Sequence, residues 1–347
     1  MSSCSCPPVG VHRSPEKLMG LHDSVSQYSM TMNSLPTEVI QQNMEDLTVH
    51  RLEMYPYFNL DTSLMDKYVN LHTLVISFGN LGPGQLANLC SCKTVQRLKY
   101  LHVQGSTQID DISPLSACTA LTTLKMPYCN VKDISPLSAC TALNKLIMND
   151  CERVKDLGPL SACTALNKLN MSYCKRVNDL GPLSACTALN TLKMSYCHSV
   201  KDLGPLSACT ALQSLNMIHC VEVKDLGPLS KCTALQSLEF CLCGQVEDLG
   251  PLASCSALQS LRFAMCGRIK DLSPLSACTA LQNLDMSWCH EVVNLTPLSA
   301  CTALHTLKMN SCELVEDLRP LAKCIALKKL DISGCKGIKY YGFLTGL

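Results

Sequence analysis

The 347-residue sequence predicts an α/β solenoid, a right-handed horseshoe or arc with a parallel β-sheet on its concave face. Its convex face is predicted to be 3₁₀ turns and extended segments. Three observations carry this. Leucines at 121, 143, 166, 189, 212, 235, 258, 281, 304 and 327 open near-copies of one unit, the first spaced by 22 residues and every later one by 23. Within the L-x-x-L-x-M run of the unit, the strand alternates with a period of two, so that Leu192 and Met194 point inward while Lys193 and Ser195 point outward. The unit then reads roughly D-[IL]-x-P-L-S-A-C, where Pro fixes φ, Gly allows close approach, and the segment is too short for a long helix. One unit buries too little apolar surface to offset the entropy of ordering its backbone, so neighbouring units must stack.

The elements follow in order. Residues 1–32, opening MSSCSCPPVG, read as a loose tail. Residues 33–48 read as a helix: Ser34 is the N-cap, Pro36 lies in the first turn, and Val39, Ile40, Met44 and Leu47 share one face. That helix is expected to seal one end of the apolar stack. Residues 49–347 form about thirteen units, divergent over 49–120 and regular over 121–347. The divergent units open at Val49, Leu71 and Leu98, and the one at Leu71 is 27 residues long. The last residues, GIKYYGFLTGL, stop midway through a repeat with no polar capping segment, which leaves a final turn as the cap or an open end for end-to-end contact.

The unit L-x-x-L-x-M-x-x-C-x-x-V-x-D-L-G-P-L-S-A-C-T-A resembles the leucine-rich repeat, with Leu124, Met126 and Cys129 in its second, third and fourth motif positions and the same residue types down each column. The short unit with D-[IL]-x-P-L is similar to the internalin-type class, and its Cys to the cysteine-containing class common in F-box proteins. The combined style is most similar to leucine-rich repeat proteins of kinetoplastid protists. The resemblance implies an intracellular adaptor or a subunit of a larger assembly, cytoskeletal and flagellar ones included.

Composition narrows the function. A net charge of +1 and only 16% charged residues give no long-range pull on nucleic acid or anionic lipid. No apolar run of about 18 residues spans a membrane, and the first twenty residues lack the pattern of a secretory signal. A reducing cytoplasmic location is expected, and an odd count of 25 cysteines argues against complete disulfide pairing. Twenty of them fall in two columns, Cys129 to Cys335 and Cys118 to Cys324, read as small apolar fillers. Cys197–His198, His219–Cys220 and Cys289–His290 are adjacent in sequence, but the fold is expected to point the thiols inward and the imidazoles outward, so no metal is assigned. The column Asp133, Asp156, Asp179, Asp202, Asp225, Asp248, Asp271 and Asp317 is read as acceptors for its own turns' N–H groups, because Asn294 stands in the same place without charge. No phosphate loop, nucleophile elbow or HExxH motif is present, so neither catalysis nor a cofactor is expected.

Function is therefore expected on outward strand positions. The column before the strand-ending Cys runs Tyr173, Tyr196, His219, Leu242, Met265 and Trp288, widened by Ile218, Cys241 and Ala264. A contiguous apolar stripe marks a partner site, and Tyr, Trp and Met are frequent anchors. Side chains leaning onto neighbouring turns would give the same column. Lys193 and Arg262 lie beside it, and Lys125, Lys145, Lys168 and Lys193 form a modest basic zone. The leading expectation is a non-catalytic scaffold or adaptor that binds a protein partner on its concave face. A ubiquitin-ligase substrate receptor is the alternative suggested by LPTEVIQQ, although the repeats resume too soon to leave room for a three-helix box; a metal or redox sensor is the third.

Overall fold

The computed structural model describes residues 29–32, 51–54, 65–66, 68–77, 84–105 and 107–341. One parallel sheet takes its strands in chain order without a crossover. It opens with β1 (Ser29–Met32), β2 (Arg51–Met54), β3 (Thr73–Ser77) and β4 (Tyr100–Gln104). Three-residue strands follow: β5 (Thr123–Lys125), β6 (Lys145–Ile147), β7 (Lys168–Asn170), β8 (Thr191–Lys193) and β9 (Ser214–Asn216). The sheet closes with β10 (Ser237–Glu239), β11 (Ser260–Arg262), β12 (Asn283–Asp285), β13 (Thr306–Lys308) and β14 (Lys329–Asp331). Register is set leucine on leucine, as in Leu192↔Leu215 and Leu215↔Leu238, so every core position lies above its copy.

The interior is one continuous stack. In the unit that opens at Leu189, the side chains of Leu189, Leu192, Met194, Cys197, Val200, Leu203, Leu206 and Cys209 are all buried. Phe240 and Phe263 replace Met in two successive units, and their rings stack at 5.7 Å. The outer wall carries 3₁₀ turns from Ser113–Ala117 to Arg319–Lys323, one in each unit from Leu98 to Leu304, each with Pro in its first two positions. Asp oxygens accept the N–H two residues on, as Gly204 N–H donates to Asp202 at 2.7 Å, and Asn294 does the same for Thr296 at 2.9 Å. The turn reading of the Asp column holds in the structure.

The sequence and structure part company in two places. Ser29–Met32, assigned above to the loose tail, is a strand that pairs with Arg51–Met54. Four alternating residues, SMTM, suffice because the edge of β2 offers ready N–H and C=O partners. The longer Leu71 unit uses its extra residues for α1 (Gln85–Ser91) and α2 (Lys93–Gln96), which bury Leu86, Leu89, Cys90 and Val95 in place of a 3₁₀ turn. The helix expected over residues 33–48, the rest of the expected tail (residues 1–28) and residues 342–347 lie outside the described residues. At β14 the stack thins, with Leu330, Ile332 and Cys335 only partly buried.

Candidate functional site

The stripe column has an unusual backbone. After the strands β5 to β13 the N–H of the Met or Phe and that of the stripe residue both bond the next unit; Met194 donates to Asn216 O at 2.7 Å and Tyr196 to Ile218 O at 2.8 Å. The chain then turns, and Cys197 N–H donates back to Met194 O at 3.2 Å, dropping the thiol into the core. This turn needs a left-handed residue. Tyr128, Asp150, Tyr173, Tyr196, His219, Leu242, Met265, Trp288 and Ser311 supply it with φ of 57–63°, and among the described residues only Gly105 and Gly334 relieve the strain in the same column. A non-glycine residue there costs about 1–2 kcal/mol. Sequence reasoning saw the column but missed its conformation; the signal is the pair of glycines in register with large residues.

The column divides into two parts. Tyr173 and Tyr196 stack with ring centroids 4.4 Å apart, and His219 meets Tyr196 edge-on at 4.9 Å. His198 Nε2 lies 3.2 Å from His219 Nδ1, and burial first, then the His219 and Lys175 charges, lowers the His198 pKa. These rings lean on one another and are half-buried. Leu242, Met265 and Trp288 instead remain 37%, 49% and 44% exposed. Ile218 and Ala264 beside them are half-buried and Cys241 is buried.

The strands add a polar chain that the sequence reading did not find. Ser195 Oγ donates to Asn216 Oδ1, and Asn216 Nδ2 donates to Glu239 Oε2 at 2.9 Å. Arg262 lies between Glu239 at 3.5 Å and Asp285 at 3.6 Å, and Ser287 Oγ closes the row on Asp285 at 2.7 Å. Apart from the Asp285–Ser287 pair, successive members are 21 to 23 positions apart along the chain, so the register assembles them. Lys193 stands exposed on the same face, in register with Asn170 and Asn216. Arg262 is thus tied into the chain of partners, whereas Lys193 forms no ion pair among the described residues.

The two cysteine columns are structural. Sγ of Cys197 donates to Met171 O at 3.2 Å and Sγ of Cys209 to Leu183 O at 3.5 Å, each one unit back. All 23 described cysteines are free thiols. Burial pushes the Cys197 thiol up to about 12, which makes it inert at neutral pH. Among the described residues, no group of three or more His, Cys, Asp or Glu side chains is arranged to hold a metal ion. No described helix is long and apolar enough to cross a membrane. The chemistry on offer is recognition: exposed apolar groups, ring faces and a pre-ordered polar row.

No protein-family profile and no curated protein sequence matches the chain. Solved structures do. A Listeria monocytogenes internalin is 23% identical with a TM-score of 0.61, covering 82% of this chain and 90% of its own. The functional domain of InlJ from the same organism, which includes a cysteine ladder, is 20% identical with a TM-score of 0.60 over 85% of this chain and 56% of that one. A Leptospira interrogans leucine-rich repeat protein is 12% identical, with a TM-score of 0.64 over 89% and 92%. The shared feature is the fold: this chain is a leucine-rich repeat solenoid.

Proposed function

We propose that the chain is a non-catalytic interaction scaffold that holds a protein partner on its concave face. Leu242, Met265 and Trp288 serve as apolar anchors, with Tyr173, Tyr196 and His219 as a ring platform and Lys193 and Arg262 as polar flanks. The observation that carries this reading is the strained column: large side chains stand where glycine would cost less, and four of them, Tyr128, Leu242, Met265 and Trp288, remain exposed, the last three in consecutive units. Free buried thiols favour a reducing, cytoplasmic setting for this scaffold, and membership of a larger cytoskeletal or flagellar assembly fits an elongated array.

The test is affinity purification with mass spectrometry on the full chain and on the double variant Tyr196→Ala/Trp288→Ala, with circular dichroism of both. Proteins retained by the parent are expected to be lost by the variant while the spectrum stays unchanged. Undiminished retention by a folded variant would remove the concave site.

A further inference from the structure

The concave face is electrically lopsided. On β5–β8 the outward residues flanking each central leucine are Thr123, Lys125, Lys145, Ile147, Lys168, Asn170, Thr191 and Lys193, with no carboxylate among them. Lys125 lies over the Tyr100 ring at 5.2 Å. Lys145, Lys168 and Lys193 form no ion pair among the described residues. Asp150, on the nearby rim, accepts the Asn149 amide at 2.8 Å. On β10–β12, by contrast, Arg262 is matched by Glu239 and Asp285.

The imbalance shows in the groups themselves. Burial lowers the Lys145 pKa first, and the Lys125 and Lys168 charges lower it further. Burial, then Lys125 and Arg51, likewise lowers that of His102 on β4. Cations crowded on one face without a matching carboxylate are stabilised by an anionic visitor, and a low-dielectric sheet surface strengthens that attraction. Four strands further along, Leu242, Met265 and Trp288 offer exposed apolar area next to already matched charge.

From this juxtaposition we infer that the occupant of the concave face is an extended protein segment, acidic at the end lying over β5–β8 and apolar or aromatic at the end lying over β10–β12. The inference rests on the scaffold reading above and specifies its partner. At about 4.8 Å per strand, β5 to β12 spans roughly 34 Å, the reach of about ten extended residues. Nucleic acid fits less well: a uniform polyanion would gain from the lysines but then cross Glu239, Asp285 and the apolar row.

The experiment selects a display library of random peptides, about twelve residues long, on the immobilised full chain, then measures recovered peptides by fluorescence anisotropy. Recovered peptides are expected to carry Asp or Glu in one half and Leu, Met or aromatic residues in the other. Their affinity is expected to fall at least about tenfold in Lys145→Glu/Lys168→Glu and in Leu242→Ser/Trp288→Ala, and to weaken when salt rises from about 50 to about 500 mM. Peptides without acidic bias that are still lost in Leu242→Ser/Trp288→Ala would overturn the inference and leave the scaffold reading standing. Recovered peptides indifferent to both double variants, or no recovery at all, would sink both. A labelled uridine oligonucleotide that binds more tightly than every recovered peptide, and is released by the lysine changes, would overturn the inference in favour of nucleic acid.

Discussion

The phenol rings of Tyr173 and Tyr196, 23 residues apart in the chain, lie 4.4 Å from each other and 8° from parallel. Their two backbones share the left-handed conformation, with φ of 63° and 61°. The repeat thus presents identical positions as a continuous surface, and each unit contributes one side chain to it. The consequences can be measured.

Replacing Leu242, at φ 63°, by Asn separates strain from recognition. Asn tolerates the left-handed region better than Leu, and the Leu242 side chain is 37% exposed. The urea midpoint is expected to stay level or rise, by up to about 1 kcal/mol, while partner affinity falls. A fall in stability above about 1 kcal/mol would instead assign Leu242 a packing role.

The thiol columns predict a loss of stability in alkali. Burial pushes Cys129, Cys197, Cys243 and Cys289 up to about 12 and Cys151 up to about 11. Unfolded thiols ionise near pH 8.5, so above that pH the unfolded chain holds fewer protons than the native one. Stability is full below about pH 8.5 and falls as pH rises toward 12, by up to about 1.4 kcal/mol per pH unit for each such thiol. Urea titrations at neutral pH and near pH 10, under reductant, are expected to show a steep drop. A flat profile would mean that the thiols are not held protonated.

Two glycines make a matched pair for mutagenesis. A Cβ added at Gly337 would lie 2.3 Å from the Glu313 carbonyl oxygen, whereas one added at Gly244 meets nothing within 4 Å. Gly337→Ala is expected to destabilise the last coil by about 1–3 kcal/mol and to raise amide hydrogen exchange around Cys335–Tyr340. Gly244→Ala should leave both unchanged.

The turn column offers a test of charge against hydrogen bonding. Asp202→Asn keeps an acceptor for Gly204 N–H, the arrangement already seen at Asn294 and Thr296, and should be close to neutral in thermal melts. Asp202→Ala removes the acceptor and is expected to cost about 0.5–1.5 kcal/mol. Equal losses in both would give the carboxylate charge itself the structural role.

Much of this was readable from the sequence because repetition amplifies it. One Leu192 says little, but ten leucines in step place a strand, and ten cysteines in step place a buried thiol column. The outward position of Lys193 follows from alternation alone, and the inward place of Cys197 from its recurrence as a column of small apolar residues. The conformation of Tyr196 did not, since left-handed backbone is inferred from glycine and its column has almost none. Nor did the row from Ser195 to Ser287, most of whose members become neighbours only when units align. Strand β1 was missed because SMTM carries no leucine to match the period.

The left-handed column also bears on descent. A lineage released from its partner would have no reason to keep bulky groups at positions where a bare hydrogen is easier to accommodate. Substitutions to glycine or asparagine should accumulate first at positions 242, 265 and 288, while the interior sulfur rows persist. Comparing those three sites among relatives would then report, without any binding assay, which of them still use this surface.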